Sequence, residues 1–368
     1  VQTAQAIADA AGGRLRAADQ PFFNRELEFE SESSEVDTTT GGISQAIDWS
    51  GKREARTGVA ESGRVAADAE LRARRQALAT ELLRALADWQ AANAIARVSE
   101  KQSELMTRFA HLAEQRRQAG DLDQVELDLA HLAAADAAFQ QSNAQENLIR
   151  ARLVVTALTG GDHASWPALT GTLPELDPEQ IDVERLLADL PLLQAALARV
   201  AAARASVQLS LREKRPDPTI GIRAGKEDSD TLTGITLSVP LFVRNTFSAE
   251  VDVANAEQIQ AEREAAGLYQ QARADLTAAA QVYRNAQRAW KTWEASGAPR
   301  LSQRTDLLDR LWRAGELSTT DYLVQLKQAL ETEVSATEQH GRMWRAWADW
   351  LAASGRIAQW LNLEGETP

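Results

Sequence analysis

Apolar and polar residues alternate with a period of two in two places along the chain. In the first, Leu27 and Phe29 alternate with Glu26, Glu28, Glu30 and Glu32; a polar stretch follows at 37–42, and Ile43, Gln45, Ile47 and Trp49 then share one face. In the second, Ile220, Ile222 and Ala224 alternate with Gly221 and Arg223. A polar turn is expected at 226–230, and Ile235, Leu237, Val239 and Leu241 resume the pattern. Period-two patterning on both sides of a turn predicts a β-hairpin. The two hairpins are placed at 22–50 and 218–243. Strands of about 9–11 residues are long enough to cross a bilayer when tilted.

Each hairpin is followed by a long stretch of helical character, almost free of proline: 54–118 in the first case and 247–313 in the second, interrupted only near Gly297-Ala298-Pro299. At about 1.5 Å per residue either would reach roughly 100 Å, well beyond an ordinary globular helix. The two end in closely similar turns, Ala119-Gly120-Asp121-Leu122 and Ala314-Gly315-Glu316-Leu317. Glycine suits the left-handed residue past a helix end, and Asp123 or Ser318 suits the N-cap of a returning helix. Returning helices are predicted at 124–158 and 319–363, with a further helix at 181–215 in which Pro191 marks either a break or a later start.

The order of elements repeats. Gly42-Ile43 aligns with Gly234-Ile235 at an offset of 192, and Gly120 with Gly315 at an offset of 195. The chain therefore divides into two repeats, 1–178 and 179–368, each a helix, a hairpin, a long helix and a returning helix. On this alignment residues 181–192 have no counterpart, which places the start of the gene product upstream of Val1.

Composition narrows the class. The net charge of −13 argues against nucleic acid as a partner, because phosphates require a basic face. Aromatics make up only 5% of the chain and alanine supplies much of the apolar content, as expected of long helices in thin layers rather than one thick core. There is no cysteine, so disulfides and thiolate chemistry are excluded. His111, His131, His163 and His340 lack partners at ligand spacing, and no phosphate loop or nucleophile motif is present. No metal site, cofactor or enzymatic activity is expected. Trp344, Trp347 and Trp350 recur every three residues on a helix, a spacing read as packing between helices.

Four strands cannot close a barrel, and lipid does not tolerate open sheet edges. Three copies would give twelve strands and leave an open bore, whereas the eight strands of two copies would be filled by side chains. The strand count points to a trimer.

The residues resemble the outer-membrane factor (TolC) family, closest to its CzcC/CusC-like heavy-metal efflux branch. The stretches that carry the resemblance are Arg215-Pro216-Asp217-Pro218-Thr219-Ile220-Gly221, then 234–242 with Arg244-Asn245, and the linker from Leu169 to Leu176. The resemblance implies a mainly α fold with a small β part: an outer-membrane duct protomer with four transmembrane strands and long helical hairpins. Three protomers would form a twelve-stranded barrel and an α-helical tunnel through the periplasm. The function implied is the outer-membrane channel of a tripartite efflux pump, a passive duct for heavy-metal cations. Its partners would be a periplasmic adaptor (membrane fusion protein), an inner-membrane RND-type transporter reached through the complex, and outer-membrane lipid. A soluble periplasmic adaptor without a pore is the alternative from another class, and drugs or secreted protein are alternative cargoes.

The resemblance assigns adaptor docking to Ala119, Gly120, Asp121, Leu122, Ala314, Gly315, Glu316 and Leu317, with the leucines expected to be exposed. It makes Glu126 and Asp321 candidate gate acids at the periplasmic end. Leu317 and Val324 replace the polar residues of the TolC gate, so its bonds do not transfer.

Overall fold

The computed structural model describes residues 2–33, 37–161, 166–169, 172–177 and 181–361. The elements in chain order are helix α1 (Gln2–Ala18), strands β1 (Glu26–Ser33) and β2 (Asp37–Ala46), and helices α2 (Lys52–Ala119) and α3 (Gln124–Thr159). Then come α4 (Val183–Ala188), α5 (Pro191–Glu213), β3 (Thr219–Glu227) and β4 (Asp230–Ser238). A second long helical run follows: α6 (Ser248–Thr292), a π-helical turn (Trp293–Gly297) and α7 (Ala298–Arg313). The chain ends in α8 (Thr319–Ala353) and the short α9 (Ile357–Trp360).

Contacts divide the chain into two compact units. One comprises 1–75 and 184–272, the other 76–183 and 273–368. Each unit takes a part of both sequence repeats, so compactness does not follow the division at 178.

In the first unit the two hairpins form one antiparallel sheet in the order β1-β2-β3-β4. Its register places Leu27, Ile43, Ile222 and Ile235 in a single row across all four strands, with Phe29, Gly41, Ala224 and Thr233 in the next row on the same face. Glycine is required where backbones meet: a Cβ on Gly225 would fall on the Thr39 carbonyl. Several sequence expectations are corrected here. Residues 37–42 are not a turn but the first part of β2, paired to both β1 and β3; 34–36 lie outside the described residues. The second turn is only Asp228-Ser229, with Asp228 at a φ of 54°. Regular pairing of β4 ends at Ser238, short of 243, since Pro240 has no amide to donate.

The sheet is joined to α2 by a compact knot of polar contacts. Asp48 caps the helix, accepting from the Lys52 amide at 2.8 Å and the Arg53 amide at 2.7 Å. Burial pushes its carboxyl up, but amide donation from Arg53, Lys52 and Gly51 outweighs burial and holds the pKa below the ordinary value. Lys52 Nζ forms an ion pair with Asp217 Oδ2 at 2.8 Å, and Trp49 Nε1 donates to the Pro216 carbonyl at 2.7 Å.

The second unit is built from helices in layers one alanine deep. The buried positions of α3 are Ala130, Ala137, Ala144, Leu148 and Val155, a spacing of sevens and fours that makes a coiled-coil seam. Trp344, Trp347 and Trp350 are all buried and pack with Tyr283 and Leu83. Gly341 lies against Ala91, and even a methyl group there would collide. The linker between the repeats is held to this core. Tyr283 Oη donates to the Pro174 carbonyl at 2.7 Å, and Gln90 exchanges two hydrogen bonds with the Leu169 backbone.

Two further helix boundaries differ from expectation. The helix expected at 181–215 is divided at Asp189-Leu190, and Pro191 opens α5 at its first turn. The helix expected at 319–363 stops at Ala353. Gly355, at a φ of 72°, turns the chain back, and the Arg356 amide donates to the Leu351 carbonyl at 3.0 Å. The interruption near 297 is a π-helical turn in which Trp293 folds over Gly297.

Removing the Asp48 cap leaves two helix-end amides unpaired. Asp48→Ala should cost about 1 kcal/mol, read as faster hydrogen exchange at the Lys52 and Arg53 amides, while Asp48→Asn should retain most of the protection. Because the folded pKa is depressed, the cap's contribution is present above the ordinary value of 3.8 and is lost as pH falls through the lower folded value. The two proteins should therefore converge in strong acid.

Candidate functional site

Three features of the sequence carry candidate function: the sheet, the two Ala-Gly-acid-Leu turns, and the acids that follow them. The sheet has two chemically distinct faces. On one, Leu27, Phe29, Ile222, Ile235 and Leu237 are 65–84% exposed, and no part of the described chain covers them. This face encloses a shallow cavity of about 860 Å³ lined by Leu27, Phe29, Ile43, Ile222 and Ile235. The opposite face carries Glu26, Glu28, Glu30 and Glu32 on β1, Glu227 on β3 and Asp230 on β4, against a single cation, Arg223. Ser44 Oγ donates to Glu28 Oε1 at 2.9 Å, and Arg223 lies across Gly234. The outer edges of β1 and β4 have no strand partner among the described residues.

The two turns are built alike, bond for bond. After α2, the Asp121 amide donates to the Arg116 carbonyl at 2.9 Å and the Gly120 amide to the Arg117 carbonyl at 3.1 Å. After α7, Glu316 donates to Leu311 at 3.0 Å and Gly315 to Trp312 at 3.1 Å. These are Schellman caps, with Gly120 at a φ of 86° and Gly315 at 77°. The next helix opens with Asp123 accepting from the Glu126 amide at 2.8 Å, and Ser318 from the Asp321 amide at 3.0 Å. Glu126 and Asp321 thus occupy the same third position of their helices. Asp321 also receives the Ser318 hydroxyl at 2.7 Å, which completes a capping interaction and uses one carboxylate oxygen locally.

The turns present Ala119, Gly120 and Asp121, and likewise Ala314, Gly315 and Glu316, to solvent. Their leucines do not follow. Leu122 is 6% exposed and Leu317 is half-buried; both pack into a cluster with Phe109, Trp312, Tyr322 and Leu326. The expectation of exposed tip leucines is therefore corrected. Each leucine lies one residue past its Schellman cap and turns back into the core. Phe109, Trp312 and Tyr322 stack mutually with ring centroids 4.7–5.3 Å apart. Burial, with the neighbouring Asp309 charge, pushes the Tyr322 hydroxyl up to about 12. The Arg116 guanidinium sits 4.5 Å from the Trp312 ring centroid, so the ends of α2 and α7 are tied together.

Sequence spacing missed one association. His111 and His131, on different helices, both reach Glu114, at 2.9 and 3.3 Å. His111 and Glu114 are three residues apart on α2, whereas His131 reaches Glu114 from α3, where no sequence spacing applies. No three such side chains among the described residues converge to hold a metal ion. His163 lies outside the described residues. His340 stacks on Trp290 with centroids 4.5 Å apart; burial lowers its pKa and the Glu294 charge opposes that.

No helix among the described residues is long and apolar enough to cross a membrane. The apolar rows that run across neighbouring elements and stay uncovered belong to the strands.

Comparison with known proteins agrees with this architecture. Residues 1–161 match the family described as Outer membrane efflux protein. The cobalt-zinc-cadmium resistance protein CzcC of Cupriavidus metallidurans is 26% identical over 260 residues, which cover 68% of this chain and 62% of that protein. The match thus spans less than two thirds of that relative's length. Among solved structures, the CmeC outer membrane channel of Campylobacter jejuni superposes with a TM-score of 0.79 at 14% identity, covering 99% of this chain and 86% of that one. CusC gives 0.80 at 15% identity, with 96% and 88% covered. The outer membrane protein VceC of Vibrio cholerae gives 0.78 at 21% identity, with 96% and 92% covered.

The turn glycines are held by backbone conformation alone, since a Cβ at Gly120 or Gly315 would meet nothing within 4 Å. Gly120→Val should therefore cost about 1–2 kcal/mol through its positive φ, and Gly120→Asn clearly less, as read by denaturant unfolding of the two variants. Equal losses would show that crowding rather than backbone conformation selects glycine.

Over residues 1–161 the chain is similar to the outer membrane efflux proteins, and it carries the fold of the solved TolC-like outer-membrane channels, mostly helical with one small sheet.

Proposed function

We propose that the chain is one of three identical protomers of a passive outer-membrane duct that passes cations from the periplasm, or from an inner-membrane pump, to the exterior. The observation that carries this is the sheet: one face uncovered and apolar, the other polar and acidic, both edges open. The exposed face matches hydrocarbon, and alternation puts the carboxylates on the side away from lipid. Within a chain every strand pair is antiparallel, so β4 of one copy would also meet β1 of the next in antiparallel fashion and the ring would close without a mismatch.

The helices support the same assembly. Val125, Leu132 and Phe139 lie at spacings of seven along α3 and are 67–70% exposed. A second seam of this kind on a helix that already uses one matches a neighbouring copy. The cargo assignment rests on charge and kinship. Six carboxylates against one guanidinium on the polar face favour cations, and CzcC is named for resistance to cobalt, zinc and cadmium. Such ions would be cargo in transit rather than ligands of a resident site. Glu126 and Asp321 would add rings of charge at the periplasmic end.

The polar tips, 119–121 and 314–316, would meet a periplasmic adaptor that links the duct to an inner-membrane RND-type transporter. With the leucines withdrawn into the core, the contact would rest on backbone, alanine and the two acids. Asp121→Lys with Glu316→Lys should leave trimer formation intact and abolish copurification with the adaptor; undiminished capture would remove the tips from the interface.

The purified protein should form channels in planar bilayers, with a reversal potential showing preference for cations. Neutralising Glu26, Glu28, Glu30 and Glu32 as glutamines should reduce that preference. Failure to form any channel would overturn the duct and favour a pore-free adaptor. A channel without cation preference would overturn the cargo and favour drugs or secreted protein.

A further inference from the structure

The sheet is electrically polar along its strands. At the turn end, Glu32, Glu227 and Asp230 share one row, with Asp37 and Asp228 beside them and Lys226 the nearby cation. The helix end is the reverse. Arg25 immediately precedes β1, Arg53 follows β2 in the first turn of α2, Lys214 and Arg215 precede β3, and Arg244 follows β4. All five are exposed, and none forms an ion pair. Two other cations at this end are paired, and Arg56 lies over the Phe22 ring. Lys52 pairs with Asp217, and Arg212 donates to Glu54 Oε2 at 2.8 Å and to the Gly51 carbonyl at 2.6 Å. Asp48 is committed to its cap and Glu54 to Arg212, and the exposed acids among them are Glu26, Glu213 and Glu250.

Apolar surface continues past the strands at this end. Trp49 is 66% exposed and in phase with Ile43 and Ile47 on the apolar face, while Leu241 and Val243 are 78% and 81% exposed. Trp49 and Arg215 line one open cavity of about 650 Å³ together with Leu211 and Arg212. Ser50, Gln208 and Glu54 line it too; because Glu54 is paired with Arg212, the charge left without a partner in the cavity is the Arg215 guanidinium, beside an indole and an aliphatic side chain. That combination fits a molecule with an anionic head and an apolar body. Tryptophan beside unpaired arginine and lysine is the composition that sits where hydrocarbon gives way to charged headgroups.

We propose that this collar binds the phosphate headgroups of anionic phospholipids in the periplasmic leaflet, with the cavity at Trp49 and Arg215 seating a single lipid. The proposal rests on the membrane-spanning assignment of the sheet made above. The charge asymmetry then has a use: it fixes how deep the sheet sits and which end faces the periplasm.

The test uses the detergent-purified assembly, dioleoylphosphatidylglycerol and dioleoylphosphatidylcholine, with retained lipid read by native mass spectrometry. The wild type should retain the anionic lipid preferentially. Lys214→Ser with Arg215→Ser should lower that preference by about fivefold for each charge removed, and Trp49→Ala should reduce retention of both lipids. These positions are exposed and lie outside the strands, so channel conductance of the same preparations should be unchanged. Preserved conductance with no anionic preference in the wild type, or with a preference unaffected by the double variant, would overturn the lipid site while leaving the duct intact. Displacement of the lipid by millimolar inorganic phosphate would overturn it in favour of a free-anion site. Stronger retention of lipid A than of phosphatidylglycerol would overturn the leaflet assignment. Absence of conductance would instead overturn the duct.

Discussion

A backbone amide or carbonyl in hydrocarbon must find a partner, because no water is present to supply one. Four strands leave two edges of such groups unpaired, and this chain adds a sheet face whose apolar rows no described residue covers. Both deficits have the same remedy, a ring of copies in lipid. The acidic column on β1 fits that remedy too. Four glutamates on an edge strand would oppose burial against another protein layer, whereas the wall of a water-filled bore, as proposed, would accommodate them.

The helical part obeys a different constraint: long helices gain stability only by packing. Alanine at heptad spacing on α3, and glycine at 341 opposite Ala91, let backbones approach closely with little side-chain volume between them. Specificity is concentrated in a few large groups. Phe109, Trp312 and Tyr322 bind the paired helix ends, while Trp347 stacks on Trp350 at 5.1 Å and lies 5.0 Å from Tyr283. Among the described residues of the linker between repeats, Leu169 and Pro174 are held by side chains of this core.

Much of this was legible in the sequence because it rests on local rules. Period-two alternation found all four strands, and the turn glycines fixed the ends of α2 and α7 within a residue or two. The strand at 37–42 was not legible: threonine and glycine give no apolar alternation, and pairing on both sides makes it a strand. The end of α8 was lost because Gly355 follows a run of tryptophan and alanine that masks the stop. Of the candidate site, the capping roles of Asp123 and Ser318 were readable from spacing. The burial of Leu122 was not, since it depends on Phe109 and Trp312, and Trp312 lies almost two hundred residues away. The same holds for His131, which reaches Glu114 only because α2 and α3 run side by side.

The central claim is that the free edges of β1 and β4 close against copies of the same chain. Because the chain has no cysteine, introduced thiols are unambiguous. Phe29→Cys on β1 and Thr233→Cys on β4, placed together in one chain and treated in native outer membranes with a short bismaleimide, measure that closure directly. The account predicts covalent dimers and trimers and nothing larger, with either single variant unable to reach the trimer. A ladder that stops at two copies, continues past three, or never leaves the monomer would contradict it.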